Sequence, residues 1–254
     1  MNKIIHGDCL EVMRNLPAAS VDMVLCDLPY GTTACKWDAV IPFDRLWAEY
    51  VRLVRGNGAI VLTASQPFTT ALISSNMSKF RHAWVWDKCF PGNIMQAKRQ
   101  PLKVVEDVLV FSLGDKGPDY FPQMTKRETP IKAGGLNSKC AIPNMSGDAA
   151  RESVKAKVYD EKYPNSILRF NVREGRGLHP TQKPVALFEY LIRTYTVPGA
   201  VVLDNCAGSG TTAIAAINSG RQSICIERDD TYHGQATARI AAHQQECSTN
   251  QTLI

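Results

Sequence analysis

The chain alternates between short apolar segments rich in β-branched residues and segments whose apolar residues recur at helical spacing. The apolar segments predict strands at residues 3–5, 21–26, 58–62, 82–86, 108–112, 200–203 and 223–226. The helical spacing predicts helices at residues 10–15, 43–54, 68–75, 184–196, 210–218 and 231–243. Strands that alternate with helices predict a mostly parallel sheet covered by helices on both faces, which is a doubly wound α/β fold.

The periodic patterns fade between residues 113 and 165, where Gly, Pro, Asn, Ser, Lys and Arg predominate. A stretch of this length is unusual for a loop in a compact domain, so it predicts an irregular insertion, with a disordered loop as the alternative. We therefore expect one domain in two halves, residues 1–112 and residues 166–254, separated by the insertion at residues 113–165.

The composition is that of an ordinary globular protein, with 44% hydrophobic and 21% charged residues. The net charge of +5 is compatible with a polyanionic partner. None of the eight cysteines forms a CxxC pair, which favours reduced thiols over a disulfide framework or a zinc site. Because no apolar run is long enough to span a membrane and the start has no signal-peptide pattern, we expect a cytoplasmic protein.

A glycine turn follows the strand predicted at residues 200–203. From Asp204 to Thr212 the sequence reads Asp-Asn-Cys-Ala-Gly-Ser-Gly-Thr-Thr, and Gly208 and Gly210 would let a ligand approach the backbone closely. The lack of a Gly-Lys-Ser/Thr ending argues against a phosphate-binding P-loop, and the incomplete GxGxxG pattern argues against a dinucleotide site. The next strand ends at Glu227, whose carboxylate suits a ribose diol. A glycine turn that binds nothing is the alternative.

The tetrapeptide Asp27-Leu28-Pro29-Tyr30 comes directly after the strand predicted at residues 21–26. Pro29 disfavours a helical conformation at Leu28 and so holds the Leu28 carbonyl in one direction. Asp27 and that carbonyl are two acceptors, which suits the two N–H donors of one amino group. Such a pair favours a pyramidal nitrogen with a free lone pair and stabilises the positive charge that develops there. Tyr30 offers a flat face to a base. An ordinary turn is the alternative.

Together these segments resemble the DNA amino-methyltransferases, which methylate N6 of adenine or N4 of cytosine. The tetrapeptide is similar to their catalytic motif, the glycine turn to their cofactor motif, and His179-Pro-Thr-Gln-Lys-Pro184 to the motif that precedes it. The catalytic motif comes first, which is the permuted order of the β group. The resemblance covers residues 3–90 and 179–235. It implies a circularly permuted, seven-stranded sheet of the S-adenosylmethionine-dependent methyltransferase type, with the insertion as the target-recognition region.

The resemblance also implies the cofactor S-adenosylmethionine and its binding residues. Asp8 and Cys9 would contact the cofactor adenine, Glu227 would hold its ribose, and Thr181 and Lys183 would meet its amino-acid end. An ordinary solvated lysine is the alternative for Lys183. The methionine part would be bordered by Asp204, Ala207, Gly208 and Gly210, and the expected cofactor-binding set is completed by Asp27, Cys206, Thr211 and Thr212.

Two positions depart from the family pattern. The second tetrapeptide residue is usually Pro and is Leu28 here, although its carbonyl remains. The aromatic residue that usually follows the cofactor-strand aspartate is absent from Asn205-Cys206. The permuted order further predicts that residues 3–5 pair beside residues 223–226, because no strand follows the last helix. No metal is expected, since methyl transfer from a sulfonium needs none.

Basic residues are frequent at residues 79–103 and in the insertion. Double-stranded DNA is the expected partner, and its amino groups become accessible only when the base is flipped out of the helix. The sequence does not decide whether the protein forms a homodimer. An ordinary solvated surface is the alternative for each of the candidate phosphate contacts, which are Lys88, Lys98, Arg99, Lys126, Arg127, Lys132, Arg173 and Arg176.

Three alternatives compete with adenine methylation. Within the family, an Asp-first tetrapeptide favours adenine and a Ser-first one favours cytosine, so N4-cytosine methylation is the first alternative. Methylation of RNA or of protein glutamine is associated with Asn-first tetrapeptides in the unpermuted order. An inactive DNA-binding module with the same fold is the alternative from another class, against which the intact Asp27, Tyr30 and Glu227 argue.

Overall fold

The computed structural model describes residues 2–33, 35, 38–133, 157–174 and 182–252. The chain forms two compact units. The larger unit comprises Met1–Phe121 and Ser166–Ile254, and the smaller unit comprises Pro122–Asn165. Within the described part of the chain, no helix combines the length and the apolar character needed to cross a membrane.

Strands and helices alternate along most of the larger unit, and all those predicted from the sequence are present. Its first part contains β1 (Asn2–His6), α1 (Cys9–Arg14), β2 (Val21–Asp27), α2 (Phe43–Leu53), β3 (Val54–Ala64), α3 (Phe68–Ser75), β4 (Phe80–Gly92) and β5 (Lys103–Ser112). The smaller unit contains β6 (Thr125–Ala133) and β7 (Lys157–Lys162). The rest of the larger unit contains β8 (Ile167–Arg169), α4 (Val185–Tyr195), β9 (Val201–Asp204), α5 (Thr211–Asn218), β10 (Gln222–Glu227) and α6 (Asp230–Thr252).

The sheet of the larger unit has the strand order β1-β10-β9-β2-β3-β5-β4-β8. Among its described strands only β5 is antiparallel to its neighbours, so the mostly parallel α/β fold is confirmed. In the described part of the chain this sheet has eight strands, one more than the seven expected. The additional strand is β8, which pairs in parallel with β4 and has three residues, too few for a periodic pattern to be recognised.

The first strand lies where the permuted motif order predicts it. β1 pairs in parallel with β10, and Ile4 is opposite Cys225. The N-terminal segment therefore provides the edge strand that would otherwise have to follow α6.

The central strands are buried on both faces because helices cover both sides of the sheet. Along β2, Val24 packs into the cluster that includes Leu46 of α2, while Leu25 packs into the cluster that includes Leu187 of α4. Successive side chains of a strand point to opposite faces, so a strand between two helical layers is apolar throughout. This explains why the buried strands were recognisable as continuous apolar runs.

The smaller unit has regular structure that the sequence did not reveal. β6 and β7 pair in an antiparallel manner, with Lys126 opposite Glu161, whereas an irregular insertion was expected. The side chains of β7 are all exposed, so this strand has no apolar face and no alternating pattern. The pairing register also shifts between Lys126 and Ile131, which accommodates the proline at position 130.

The direction of the strands brings four carboxylates to one edge of the sheet. Asp27, Asp204 and Glu227 are the last residues of β2, β9 and β10, and Asp8 follows β1 by two residues. The carboxyl ends of parallel strands meet at one edge, where α/β proteins bind their ligands.

We predict that Tyr50→Phe lowers the free energy of unfolding by about 1–3 kcal/mol, because a buried acceptor would lose its donor. The Tyr50 hydroxyl donates to Asn205 Oδ1 at 2.6 Å, and both residues are buried. Urea unfolding followed by circular dichroism measures the change. Tyr120→Phe removes a hydroxyl from an exposed tyrosine of the same unit and should have almost no effect. Equal effects of the two substitutions would contradict the assigned role of this hydrogen bond.

Candidate active site

A cavity of about 610 Å³ lies at the carboxyl edge of the sheet in the larger unit. This volume is typical of sites for small molecules and cofactors. The cavity brings together most of the residues that the sequence assigned to the cofactor. Those that line it are Asp8, Cys9, Asp27, Lys183, Asp204, Cys206, Ala207, Gly208, Thr211 and Glu227.

Two residues of the predicted cofactor set do not line this cavity, and a third lies outside the described residues. Gly210 precedes α5 with φ of +77°, and a Cβ there would come within 3.2 Å of the Ala236 Cβ, so glycine is needed for α6 to pack closely. Thr212 is fully buried and its hydroxyl donates to Asp204. These two residues therefore stabilise the turn on the side that faces away from the cavity lining. Thr181 is the residue outside the described range.

Backbone donors fix the Glu227 carboxylate at the end of β10. Gly208 N–H donates to Oε2 at 2.7 Å, and Asp229 N–H donates to Oε1 at 2.8 Å. Each carboxylate oxygen has two acceptor positions, so one position on each oxygen stays available. The side chain lines the cavity and is held by the glycine turn itself, an arrangement suited to binding two neighbouring hydroxyl groups.

The cavity lining is strongly acidic. Its basic residues are Lys183 and Arg228, and its acidic residues are Asp8, Asp27, Asp204, Glu227, Asp229 and Asp230. Burial raises the pKa of Asp204 to about 6, although hydrogen bonds from the Thr212 hydroxyl and the Cys206 N–H lower it in part. An excess of carboxylates suits a ligand with positively charged groups, such as a sulfonium or an ammonium.

The Asp27 carboxylate is held through both of its oxygens. The hydroxyls of Tyr30, at 2.9 Å, and Thr63 donate to Oδ1. The Lys183 ammonium donates to Oδ2 at 2.7 Å. Thr63, near the end of the neighbouring strand β3, was not recognised from the sequence, because a single threonine in an apolar strand has no distinguishing pattern. Asp27 is therefore a fixed acceptor at the cavity wall.

The rest of the tetrapeptide divides between the core and the cavity. Leu28 and Pro29 line the cavity, and the Leu28 side chain also packs into the core. The Tyr30 ring is not part of the lining; it stacks on Phe68, with ring centroids 5.1 Å apart. Burial raises the pKa of the Tyr30 hydroxyl well above its usual value. In the structure the Tyr30 hydroxyl is thus a hydrogen-bond donor to Asp27. The stacking of a base on the Tyr30 ring stays a prediction.

Asp38 organises the loop after the tetrapeptide and was not recognised from the sequence. Its carboxylate accepts three backbone hydrogen bonds, from Gly31 at 2.8 Å, Thr32 at 2.9 Å and Thr33 at 2.7 Å. Burial opposes ionisation, but hydrogen bonds from these three residues outweigh it, so the pKa of Asp38 is lowered. Nothing in the local spacing distinguishes this aspartate from a solvated one.

Lys183 is a buried ion-pair partner and not a solvated lysine. It is only 8% exposed, and its Nζ lies 3.4 Å from Glu106 Oε2 in addition to its bond to Asp27. Burial lowers the pKa of Lys183, but the negative charges of Asp27 and Glu106 raise it by more than burial lowers it, so the net shift of the pKa is upward.

The prediction of Lys88 as a phosphate contact is wrong. Lys88 is 8% exposed and its ammonium lies 3.1 Å from Glu106 Oε1. A buried and paired ammonium cannot reach a phosphate on the surface. The local sequence is rich in basic residues, and this made Lys88 resemble its exposed neighbours.

The other candidate phosphate contacts stay predictions, and Arg176 lies outside the described residues. Lys98 and Arg99 are exposed in the connection between β4 and β5. Arg173 is exposed, with its guanidinium 3.5 Å from the centre of the Phe90 ring. In the smaller unit, β6 carries the exposed Lys126 and Lys132 and the half-buried Arg127.

The described residues contain no group of three or more His, Cys, Asp or Glu side chains arranged to hold a metal ion. Free thiols are present at Cys9, Cys26, Cys35, Cys89, Cys206, Cys225 and Cys247.

Comparison with solved structures shows the same fold in DNA methyltransferases. The complex of M1.HpyAVI with SAM has a TM-score of 0.63 at 24% identity and covers 94% of this chain and 99% of that chain. TTHA0409 of Thermus thermophilus, a putative DNA modification methylase complexed with S-adenosyl-L-methionine, gives 0.60 at 21% identity, covering 96% of both chains. The cytosine-N4-specific PvuII DNA methyltransferase gives 0.64 at 16% identity, covering 93% and 85%.

Two proteins of Escherichia coli (strain K12) are similar over nearly the whole sequence. DNA adenine methyltransferase YhdJ is 30% identical in an alignment of 255 positions that covers 94% of this chain and 83% of that protein. The putative methylase YubD is 30% identical in an alignment of 247 positions that covers 96% of this chain and 92% of that protein. The N6_N4_Mtase family model, described as DNA methylase, matches residues 21–238. This chain therefore belongs to the N6/N4 family of DNA methylases.

Proposed function

We propose that this protein transfers a methyl group from S-adenosylmethionine to the N6 amino group of adenine in double-stranded DNA. The observation that carries the proposal is the fixed Asp27 carboxylate, which lines the same acidic cavity as Glu227. One wall of the cavity thus offers an acceptor for an amino group, and another offers an acceptor for a ribose.

The cavity fits S-adenosylmethionine in volume and in charge. The excess of carboxylates matches the positive charges of its sulfonium and amino groups, and Glu227 is oriented by backbone donors. Two of the similar solved structures contain this molecule. When bound, it supplies a methyl group on a positively charged sulfur, which keeps the bonding electron pair when the methyl is transferred.

Asp27 prepares the amino nitrogen for attack in this proposal. Its carboxylate and the Leu28 carbonyl each accept one N–H of the flipped-out base, so the nitrogen lone pair is withdrawn from the ring. The positive charge that develops on the nitrogen is stabilised by the same acceptors, an electrostatic effect that contributes strongly when the groups are held in place beforehand. After transfer the nitrogen carries one surplus proton, which we assign to Asp27.

Adenine is favoured over cytosine by two observations. The tetrapeptide begins with Asp27, as is typical of the adenine-specific members that it resembles. The similar protein YhdJ is named a DNA adenine methyltransferase. The PvuII enzyme, which shares the fold, is cytosine-N4-specific, so N4-cytosine is the competing acceptor on the same scaffold.

Identification of the methylated nucleoside tests the proposal directly. Purified protein is incubated with labelled S-adenosylmethionine and unmethylated duplex DNA, and the DNA is digested to nucleosides. We expect the label in N6-methyladenine. Label in N4-methylcytosine would replace the acceptor base and keep the cavity assignment. Absence of label from DNA, with intact cofactor binding, would refute the proposed activity.

We predict that Asp27→Asn lowers kcat by at least about 10²–10³-fold, because the preorganised acceptor becomes in part a donor. Cofactor affinity should stay largely intact, since the cavity loses no volume and keeps its other five carboxylates. Methyl incorporation and isothermal titration with S-adenosylmethionine measure the two quantities. The control Asp44→Asn makes the same change on the exposed first turn of α2. Turnover near the wild-type rate in Asp27→Asn would refute the acceptor role.

We predict that Glu227→Gln raises the Kd of S-adenosylmethionine by about 10-fold to 100-fold, the scale of a lost hydrogen bond to a charged group. The rate of methyl transfer at saturating cofactor should change little, because Glu227 is assigned to the ribose and not to the reacting atoms. Titration calorimetry is the measurement. Glu246→Gln, on the exposed part of α6, is the matched change of charge. An unchanged Kd in Glu227→Gln would be incompatible with the ribose assignment.

A further inference from the structure

Glu106 enters the site from the one described strand that runs against the others. β5 is antiparallel to β3 and β4, so its beginning lies at the edge of the sheet where the other strands end. Glu106 is the fourth residue of β5 and is opposite Trp86 of β4. No motif in the sequence distinguished Glu106, because its position at the site depends on the pairing of β5.

Four charged side chains form a row of three successive ion pairs that begins at the cavity wall. Lys183 Nζ is 2.7 Å from Asp27 Oδ2 and 3.4 Å from Glu106 Oε2, while Lys88 Nζ is 3.1 Å from Glu106 Oε1. The order is therefore Asp27, Lys183, Glu106, Lys88, with alternating charges and a formal sum of zero. Ion pairs at such low exposure interact much more strongly than surface pairs.

The second oxygen of Glu106 has no other role among the described residues. Glu106 Oε2 is buried, has no well-aligned hydrogen bond among the described residues, and lies 3.4 Å from the Lys183 ammonium. A buried carboxylate oxygen is costly without a compensating partner, and the Lys183 ammonium is the partner that Oε2 has, so this ion pair directs the ammonium. The rings of Tyr30 and Trp86, with centroids 5.8 Å and 5.9 Å from Lys183 Nζ, complete its surroundings.

The geometry points to Glu106 as a positioning residue that fixes Lys183, and through Lys183 the Asp27 carboxylate, in the orientation that accepts the amino group. This inference rests on the proposed function. The hydroxyls of Tyr30 and Thr63 hold Oδ1 of Asp27, and Lys183 holds Oδ2, so the carboxylate plane is fixed only while Lys183 stays in place. Glu106 also balances the charge of Lys183, which would otherwise oppose the positive charge that develops on the nitrogen.

A purely structural role for Glu106 predicts a different behaviour. If Glu106 served only to neutralise Lys88, removal of both charges together would restore a normal enzyme. If Glu106 directs Lys183, removal of Lys88 cannot replace it. The double substitution Lys88→Met with Glu106→Gln therefore separates the two roles, and it leaves no unpaired charge at Lys88.

The experiment compares single-turnover rates of methyl transfer and the Kd of S-adenosylmethionine. We expect Glu106→Gln to lower the single-turnover rate roughly 10–100-fold, the scale on which a displacement of about 1 Å in the reacting geometry reduces rates, with the Kd unchanged. The double variant should unfold near the wild-type temperature and stay as slow as Glu106→Gln. A wild-type rate in either variant, or a raised Kd with a normal rate, would overturn the assignment.

Asp107→Asn is the matched control because it removes the same charge from the next residue of β5. The Asp107 carboxylate accepts a hydrogen bond from the Thr69 hydroxyl at 2.7 Å. It is not one of the four side chains that form the row of ion pairs around Lys183. Its rate should equal that of the wild type, and an equal loss in Asp107→Asn would overturn the specific role of Glu106. A failure of the proposed function is recognised separately, because the wild-type protein itself would then transfer no methyl group to adenine.

Discussion

The parallel pairing of β2 with β9 is the interaction on which the site depends. These strands come from opposite ends of the sequence, and the pairs Met23 with Val202 and Val24 with Leu203 join the two halves of the larger unit. The Asp22 carboxylate strengthens the junction by accepting a hydrogen bond from the Val201 N–H at 2.7 Å. Because the two strands are adjacent and parallel, the tetrapeptide after one and the glycine turn after the other open into a single cavity. A permuted order of motifs is compatible with one site for this reason, since the sheet restores the adjacency that the sequence separates.

The sequence was sufficient to predict those elements whose burial produces a repeating pattern. β2 and β3 are covered on both faces, so they appear as apolar runs, and α2 places Leu46 and Tyr50 on one face. β7 has no buried face and β8 has three residues, so neither produces such a pattern. The same reasoning applies to the cavity. Asp27 and Glu227 end strands and Asp8 follows β1 by two residues, so the parallel topology alone predicts that all three lie at the same edge of the sheet.

The residues that hold the Asp27 carboxylate were not predictable in that role, because they act over long separations in the sequence. Thr63, Glu106 and Lys183 reach Asp27 or its partner from β3, from β5 and from the segment before α4. Whether a lysine is solvated or buried is decided by what packs around it, and Lys88 shows that a basic local sequence can be misleading. Asp38 is a similar case, since its three backbone donors come from a turn whose conformation has no signature in the sequence.

The carboxylates of the cavity differ in what holds them, and this difference divides their roles. Asp204 is buried and accepts hydrogen bonds from the Cys206 N–H and the Thr212 hydroxyl, and burial raises its pKa to about 6, so it stabilises the turn from the interior. Glu227 lines the cavity, is held by two backbone donors and keeps one acceptor position on each oxygen. Asp27 is held by side chains, among them a buried ammonium that another carboxylate fixes in turn. A carboxylate fixed by side chains is more adjustable through substitution than one fixed by backbone groups. The orientation of the Asp27 carboxylate therefore depends on its ion pair with Lys183. Glu106 contributes to that orientation by holding the Lys183 ammonium.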